Sequence, residues 1–129
     1  MYTFKKEERL YKRNKIEALF SKGAFFFSFP FKIIWLETDM QQDFPAKLLI
    51  SIPKKKFKRA VDRNHLKRLI REAYRKNKGQ LYCALESNNK SLSFAIIYTQ
   101  KEILSYQEIE KSIILMLDKL NKAYEKLTD

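Results

Sequence analysis

The sequence predicts one α+β domain, residues 1–129, a sandwich of helices on a small β-sheet. Three observations carry this expectation. Three stretches alternate apolar and other residues with the two-residue period of a strand, and three more repeat apolar residues at helical spacing. These stretches follow one another as helix, strand, strand, helix, strand, helix, and no internal repeat, low-complexity tract or linker separates them. With 129 residues, 45% apolar and 14% aromatic, the chain can bury roughly two-thirds of its unfolded surface around one core.

"NKIEALFSKG" reads as the first helix, with Ile16, Leu19 and Phe20 on one face. Asn14 is placed to cap it, Glu17 sits three residues on as in a capping box, and Gly23 suits a left-handed end. "FSFPFKIIWLET" alternates Phe29, Phe31, Ile33 and Trp35 against Ser28, Pro30, Lys32 and Ile34, a strand with Pro30 near its start or on an edge. "AKLLISIP" puts Leu48, Ile50 and Ile52 on one face and stops at Pro53. A strongly basic helix follows. The pattern from Leu81 to Lys90 fits a helical extension or a loop equally. "LSFAIIYT" is the third strand, with Phe94, Ile96 and Tyr98 on one face and Ala95 and Ile97 on the other. The last helix opens on a Ser105–Glu108 capping box, and Tyr106, Ile109, Ile113, Met116, Leu117, Leu120 and Tyr124 form its apolar stripe.

Charge is concentrated in one place. The chain carries a net +12, and Lys54–Lys78 holds 12 of its 27 basic groups against only two acids, Asp62 and Glu72. On a helical wheel of about 100° per residue, Leu66, Leu69, Ile70 and Ala73 share an arc that would cover the sheet. Arg63, Asn64, Lys67, Arg68, Arg71 and Arg75 occupy the opposing arc, and His65, Glu72 and Lys76 fall between. A solvated face normally interleaves signs, because like charges four residues apart repel by a few tenths of a kcal/mol. Arg63, Lys67, Arg71 and Arg75 are successive like-charged neighbours, an arrangement that a line of phosphates offsets.

A membrane helix would need its apolar arc in lipid, whereas this arc is narrow, lacks Trp and Phe, and is needed by the sheet. A base-reading helix wants a few polar side chains at its N-terminus, whereas this stripe is almost wholly cationic and suits the backbone and shape of folded RNA. The lone cysteine, Cys83, reads as a small half-buried hydrophobe rather than a reactive thiol or metal ligand. "MYTFKKEERL" lacks the hydrophobic stretch of a signal peptide, and the cytoplasm is the expected address. A self-sufficient nuclease is disfavoured. Glu37 and Asp39 share a strand face, Glu108 and Glu110 do not share a helix face, and the single histidine, His65, lies off the stripe. No carboxylate cluster for a two-metal site emerges, so no catalytic or metal-binding residue is expected.

"FKRAVDRNHLKRLIREAY" resembles the signature of the protein subunit of bacterial ribonuclease P, the ribonucleoprotein that removes 5′ leaders from precursor tRNA. The matching positions are Phe57, Ala60, Arg63-Asn64, Leu66, Lys67-Arg68 and Arg71, preceded by basic Lys54, Lys55 and Lys56. Arg9-Leu10, Phe20 and Gly23 also fit the family's N-terminal pattern. Two positions depart from it: His65 stands in place of the usual Arg, and Lys58 in place of a frequent Gly at the turn into the helix.

The resemblance implies an α-β-β-β-α-β-α order with a left-handed crossover through the basic helix, where general rules favour right-handed ones. It implies that an RNA subunit carries the active site and its Mg²⁺, that the protein alone binds no cofactor, and that no protein partner is required. RNA contacts are then expected from Lys54, Lys55, Lys56, Arg59, Arg63, Asn64, Lys67, Arg68, Arg71 and Arg75. The leader of precursor tRNA would lie in a cleft between the first helix and the sheet, mapped here to Ile16, Phe20, Phe31, Ile33 and Trp35, since aromatics beside cations suit single-stranded RNA. A ribosomal or tRNA-associated binding protein without an enzymatic role is the alternative.

Overall fold

The computed structural model describes residues 8–38 and 44–126. Eight elements follow in order: α1 (Arg13–Lys22), β1 (Ala24–Ser28), β2 (Phe31–Thr38), β3 (Ala46–Ser51), α2 (Ala60–Asn77), α3 (Gly79–Ser87), β4 (Ser91–Tyr98) and α4 (Tyr106–Lys126). The strands form one sheet in the order β1-β2-β4-β3. β2 runs antiparallel to both β1 and β4, while β3 lies parallel to β4 and joins it through α2 and α3.

The stretch read as one strand from Phe27 to Thr38 belongs to two strands. The chain turns at Phe29-Pro30, whose peptide is cis, and pairs Ser28 with Phe31. Proline has no N–H to give a ladder; here its carbonyl accepts from the Thr99 amide and hydroxyl at 3.0 and 2.8 Å, tying the turn to the end of β4.

Register sorts the side chains onto two faces. Phe31, Ile33 and Trp35 of β2 share a face with Leu92, Phe94, Ile96 and Tyr98 of β4 and Leu48 of β3. That face is covered by Leu66, Ile70, Ala73 and Tyr74 of α2, Leu81 and Leu85 of α3, and Ile109, Ile113, Met116 and Leu120 of α4, forming the main core. On the opposite face Ile34 and Ala95 pack with Leu10 and with Leu19 of α1. Both faces of β4 are therefore buried, as its nearly unbroken apolar run requires.

The helix ends divide into one expected cap and one unexpected one. Ser105 and Glu108 bond reciprocally at the start of α4: the Glu108 amide donates to Ser105 Oγ at 3.2 Å, and Ser105 Oγ donates to the carboxylate at 3.0 Å. α1 instead begins one residue before Asn14 with Lys12 as an uncapped N-cap, and Glu17 pairs with Arg13 at 3.0 Å. Gly23 is not left-handed. Its φ is −71°, and glycine is needed because a Cβ would stand 2.5 Å from the Leu19 carbonyl oxygen and 2.9 Å from that of Trp35.

Residues 81–90 resolve as the rest of α3 and a tight turn. Asn89, at φ 53°, takes the left-handed position that asparagine tolerates, and the Lys90 amide returns to the Leu85 carbonyl at 2.8 Å. Cys83 is exposed on α3, not half-buried, because Leu81 and Leu85 take the inward positions.

Candidate nucleic-acid interface

α2 lays its apolar arc on the main core and turns its cations outward. Leu66, Ile70 and Ala73 are fully buried, as the wheel requires, and Tyr74 joins them. Arg59, Asn64, and Arg68 are exposed, and Lys67 and Arg71 are half-buried along the helix flank.

Two of the arginines in the stripe already have work within the fold. Arg63 Nη1 donates to the carbonyls of Phe57 and Lys58 at 2.7 and 2.9 Å, closing the turn that leads into α2. Lys58 itself does not take the left-handed conformation that would favour glycine, since Asn89 is the one described non-glycine residue at positive φ. Arg75 forms an ion pair with Glu72 at 2.5 Å, and Lys76 reaches the same carboxylate at 3.8 Å. The hydrogen bond from Arg75 holds the Glu72 carboxyl below its ordinary range and raises Arg75 in return. Arg71 moves the other way: burial lowers its pKa, and the nearby positive charge of Arg9 lowers it further.

The basic turn before α2 is anchored to the sheet. The amides of Lys56 and Phe57 donate to the Pro53 carbonyl at 3.2 and 3.3 Å, and the Lys56 ammonium donates to the Thr99 carbonyl. The Phe57 ring packs against Tyr98 with centroids 5.8 Å apart. Lys54 and Lys55 are exposed. This places the lysine turn at the end of β4.

The expected cleft needs correction. Phe31, Ile33 and Trp35 are 0%, 0% and 5% exposed and belong to the core beneath α2 and α4, on the sheet face opposite α1. They share no surface with Ile16 and Phe20. The two-residue period groups these three correctly but leaves open which face meets α1. Their intervening neighbours meet it: Ile16 packs against the cluster that contains Ile34, and Ile97 borders the same cluster.

The aromatic surface on the α1 side comes from β1 instead. Phe26 packs into the main core, so the alternate residues Phe25 and Phe27 point to the α1 side, where they are 71% and 56% exposed. Lys32, paired across from Phe27, holds its ammonium 5.0 Å from the Phe25 ring centroid, a cation–π arrangement. Phe20 keeps 47% of its surface exposed one turn beyond Ile16. The run "AFFFS" carries this signal in the sequence, since three aromatics before a proline turn leave at least one facing outward.

The described acids are largely engaged. Glu8 is paired with Lys78, and Glu37 with Lys90 at 3.2 Å, while Glu110 accepts from Asn77 and Tyr106. Asp39 lies outside the described residues. Among the described residues no three His, Cys, Asp or Glu side chains gather as a metal site. His65 is exposed on α2. No described helix is long and apolar enough to cross a membrane.

Comparison with known proteins agrees with this architecture. The family model for ribonuclease P matches residues 4–121. The ribonuclease P protein component of Porphyromonas gingivalis is 33% identical over 108 residues, covering 84% of this chain and 79% of the relative. The protein of the same name from Legionella pneumophila is 30% identical over 129 residues, covering 99% and 96%. Among solved structures, the RNase P protein of Thermotoga maritima superposes with a TM-score of 0.69 at 24% identity, covering 87% of this chain and 96% of that one. That of Staphylococcus aureus gives 0.67 at 22%, covering 87% and 95%. The match along nearly the whole chain settles the relationship: this protein belongs to the ribonuclease P protein family.

Proposed function

We propose that this chain is the protein subunit of ribonuclease P and supports 5′ maturation of precursor tRNA by holding two RNAs at once. The outer flank of α2 binds the backbone of the catalytic RNA. The α1 side of the sheet, with Phe20, Phe25, Phe27 and Lys32, receives the single-stranded leader, because exposed rings beside cations stack on any base. Bond breaking belongs to the RNA subunit and its Mg²⁺. The protein supplies positive charge that screens repulsion between the two RNAs and favours metal binding at their junction.

The observation that carries this reading is the separation of the two surfaces. α2 presents cations on one side of the sheet, and exposed aromatics lie on the other, with the lysine turn at the sheet end between them. A single-surface RNA binder has no need of the second.

Reconstitution tests it. RNA-free protein should leave precursor tRNA intact at every Mg²⁺ concentration, and adding the cognate RNA should release the 5′ leader at lower Mg²⁺ than that RNA requires alone. RNA-free protein that cuts specifically at the 5′ site would revive the nuclease reading. Copurification with ribosomal RNA in place of one structured RNA would favour the ribosomal alternative.

A further inference from the structure

We propose that the hollow at the lysine-turn end of the sheet, walled by Phe29, Lys56, Gln100 and Lys101, holds one unpaired nucleotide of the leader, its base on the Phe29 ring and its phosphate at the lysines. The inference rests on the leader reading above and extends it beyond Phe25 and Phe27 to one defined nucleotide position.

Four segments converge on this hollow. The Phe29-Pro30 turn leads into β2, Thr99–Glu102 follow β4, Lys56 belongs to the turn after β3, and Leu104 precedes α4. Between them they leave about 450 Å³, within the range of small-ligand sites. The walls are tied to one another. Thr99 donates from its amide and hydroxyl to the Pro30 carbonyl at 3.0 and 2.8 Å, and its own carbonyl accepts from Lys56. Gln100 Nε2 donates to the Thr99 hydroxyl oxygen at 3.2 Å. The Tyr98 hydroxyl donates to the Glu102 carbonyl at 2.6 Å and accepts from the Leu104 amide at 3.3 Å. A hollow so braced is formed before a ligand arrives, so little ordering is required on binding.

The lining supplies a partner for each part of a nucleotide. Phe29 is 58% exposed, a ring face on which any base can stack. The Lys56 ammonium gives one of its three donors to Thr99, and Lys101 is exposed, so both can meet a phosphate. Gln100 brings an amide and Glu102 a carboxylate, groups that hydrogen-bond base edges. Glu102 also bears on the choice of ligand. Its carboxylate repels a free phosphate drawn to the lysines alone, whereas an amino group on a base donates to it. The leader is the strand in reach, because Phe29 lies two residues past Phe27, at the turn that ends β1.

The test is abasic scanning of the leader. Precursor tRNAs with one abasic nucleotide at each successive leader position are bound to the ribonucleoprotein reconstituted with the cognate RNA subunit and the full chain, Phe29→Leu, Phe29→Tyr, Lys101→Gln or Phe20→Ala. A stacked base lost from the hollow should weaken binding by about five- to 150-fold. At one leader position that penalty should vanish in Phe29→Leu, which keeps the bulk of the turn without the ring, and persist in Phe29→Tyr and Phe20→Ala. Lys101→Gln should lower the log–log salt slope of precursor tRNA binding by about 0.7, the contribution of one single-strand phosphate, and leave binding of the RNA subunit unaltered. Melting curves of the free variants check that each is folded. Every abasic penalty intact in Phe29→Leu, or the same penalty lost in Phe29→Tyr, would overturn the base site, and an unchanged slope in Lys101→Gln would overturn the phosphate contact. If Phe20→Ala narrows the difference between precursor and mature tRNA affinity and Phe29→Leu does not, the leader reading survives and the hollow fails. If neither narrows it, both fail.

Discussion

Replacing Phe20 and Phe31 in turn tests which face of the sheet receives the leader. Phe31 is fully buried and meets Tyr98 with ring centroids 6.2 Å apart. Truncating a buried Phe to Ala costs about 3–5 kcal/mol, a large share of the roughly 5–15 kcal/mol that stabilises a domain. Phe20 is 47% exposed, so its truncation forfeits about half of a side-chain burial worth roughly 1.5–3 kcal/mol, or about 1 kcal/mol. If a leader base stacks on Phe20, Ala should weaken precursor tRNA binding by about 1–3 kcal/mol, roughly five- to 150-fold, while mature tRNA binding is unchanged. The assay is the ratio of the two dissociation constants for the reconstituted ribonucleoprotein, with melting curves of each free variant. Because Phe31→Ala risks unfolding, Phe31→Leu is its partner: stability should fall and the ratio should hold. Equal losses for both tRNAs in a folded Phe20→Ala protein would refute stacking. A ratio that collapses in Phe31→Leu and survives in Phe20→Ala would refute the assignment of faces.

Four further substitutions probe these surfaces and the frame around them. Gly23→Ala has an allowed φ of −71° but meets backbone oxygens at 2.5 and 2.9 Å, so it should destabilise by about 1–3 kcal/mol in urea unfolding; the gain of about 0.4–1 kcal/mol usual at an unstrained glycine would contradict the close approach. Arg63→Gln removes two hydrogen bonds to the carbonyls of Phe57 and Lys58 and should cost about 1–2 kcal/mol of stability, whereas Lys67→Gln should change RNA affinity alone; equal melting temperatures would show that the clasp is idle. Burial raises the Tyr74 and Tyr82 hydroxyls above their ordinary value of 10.0. The unfolded chain therefore loses these protons first, and stability present below about pH 10 should decline above it. Tyr82→Phe should soften that decline in melting temperatures measured up to about pH 11, and an unaltered alkaline slope would count against the burial argument.

What the sequence made legible was periodicity, and what it withheld was relation between elements. The α4 stripe and its Ser105–Glu108 box stand as spaced, because both depend on neighbours three and four residues apart. The grouping of Phe31, Ile33 and Trp35 was equally visible, yet their role in the cleft was misplaced. Alternation identifies two faces without saying which one a remote helix covers, and here the covering of both faces depends on where α1, α2 and α4 dock. Gly23 illustrates the same limit at one residue: local convention suggests a left-handed turn, whereas the constraint is the approach of the Trp35 carbonyl from another strand. The α2 stripe was legible as a charge pattern. That Arg63 and Arg75 are held by a carbonyl pair and by Glu72 was not, because the first partnership depends on the turn geometry and in the second Lys76 stands within reach of the same carboxylate.

The two proposed RNA surfaces meet at one short turn, and its construction bears on how they cooperate. Residues 52–59 connect the end of β3 to the start of α2, and the anchors of the turn come from within it, from the end of β4 and from α2. Pro53 accepts from the turn's own amides, Lys56 reaches Thr99 after β4, and Arg63 reaches back from the first turns of α2. Phe57 seals it against Tyr98 from the core side. A loop so tied has little room to move, so the spacing between the α2 flank and the Phe20–Phe27 surface is set by the folded protein, before any RNA that the proposed function would bring to either. Preorganisation of this kind lowers the ordering cost of binding the second RNA once the first is bound. It also explains why basic residues crowd this turn. On the proposed function the exposed Lys54 and Lys55 would stand at the junction of two polyanions, where each positive charge would screen repulsion between the RNAs.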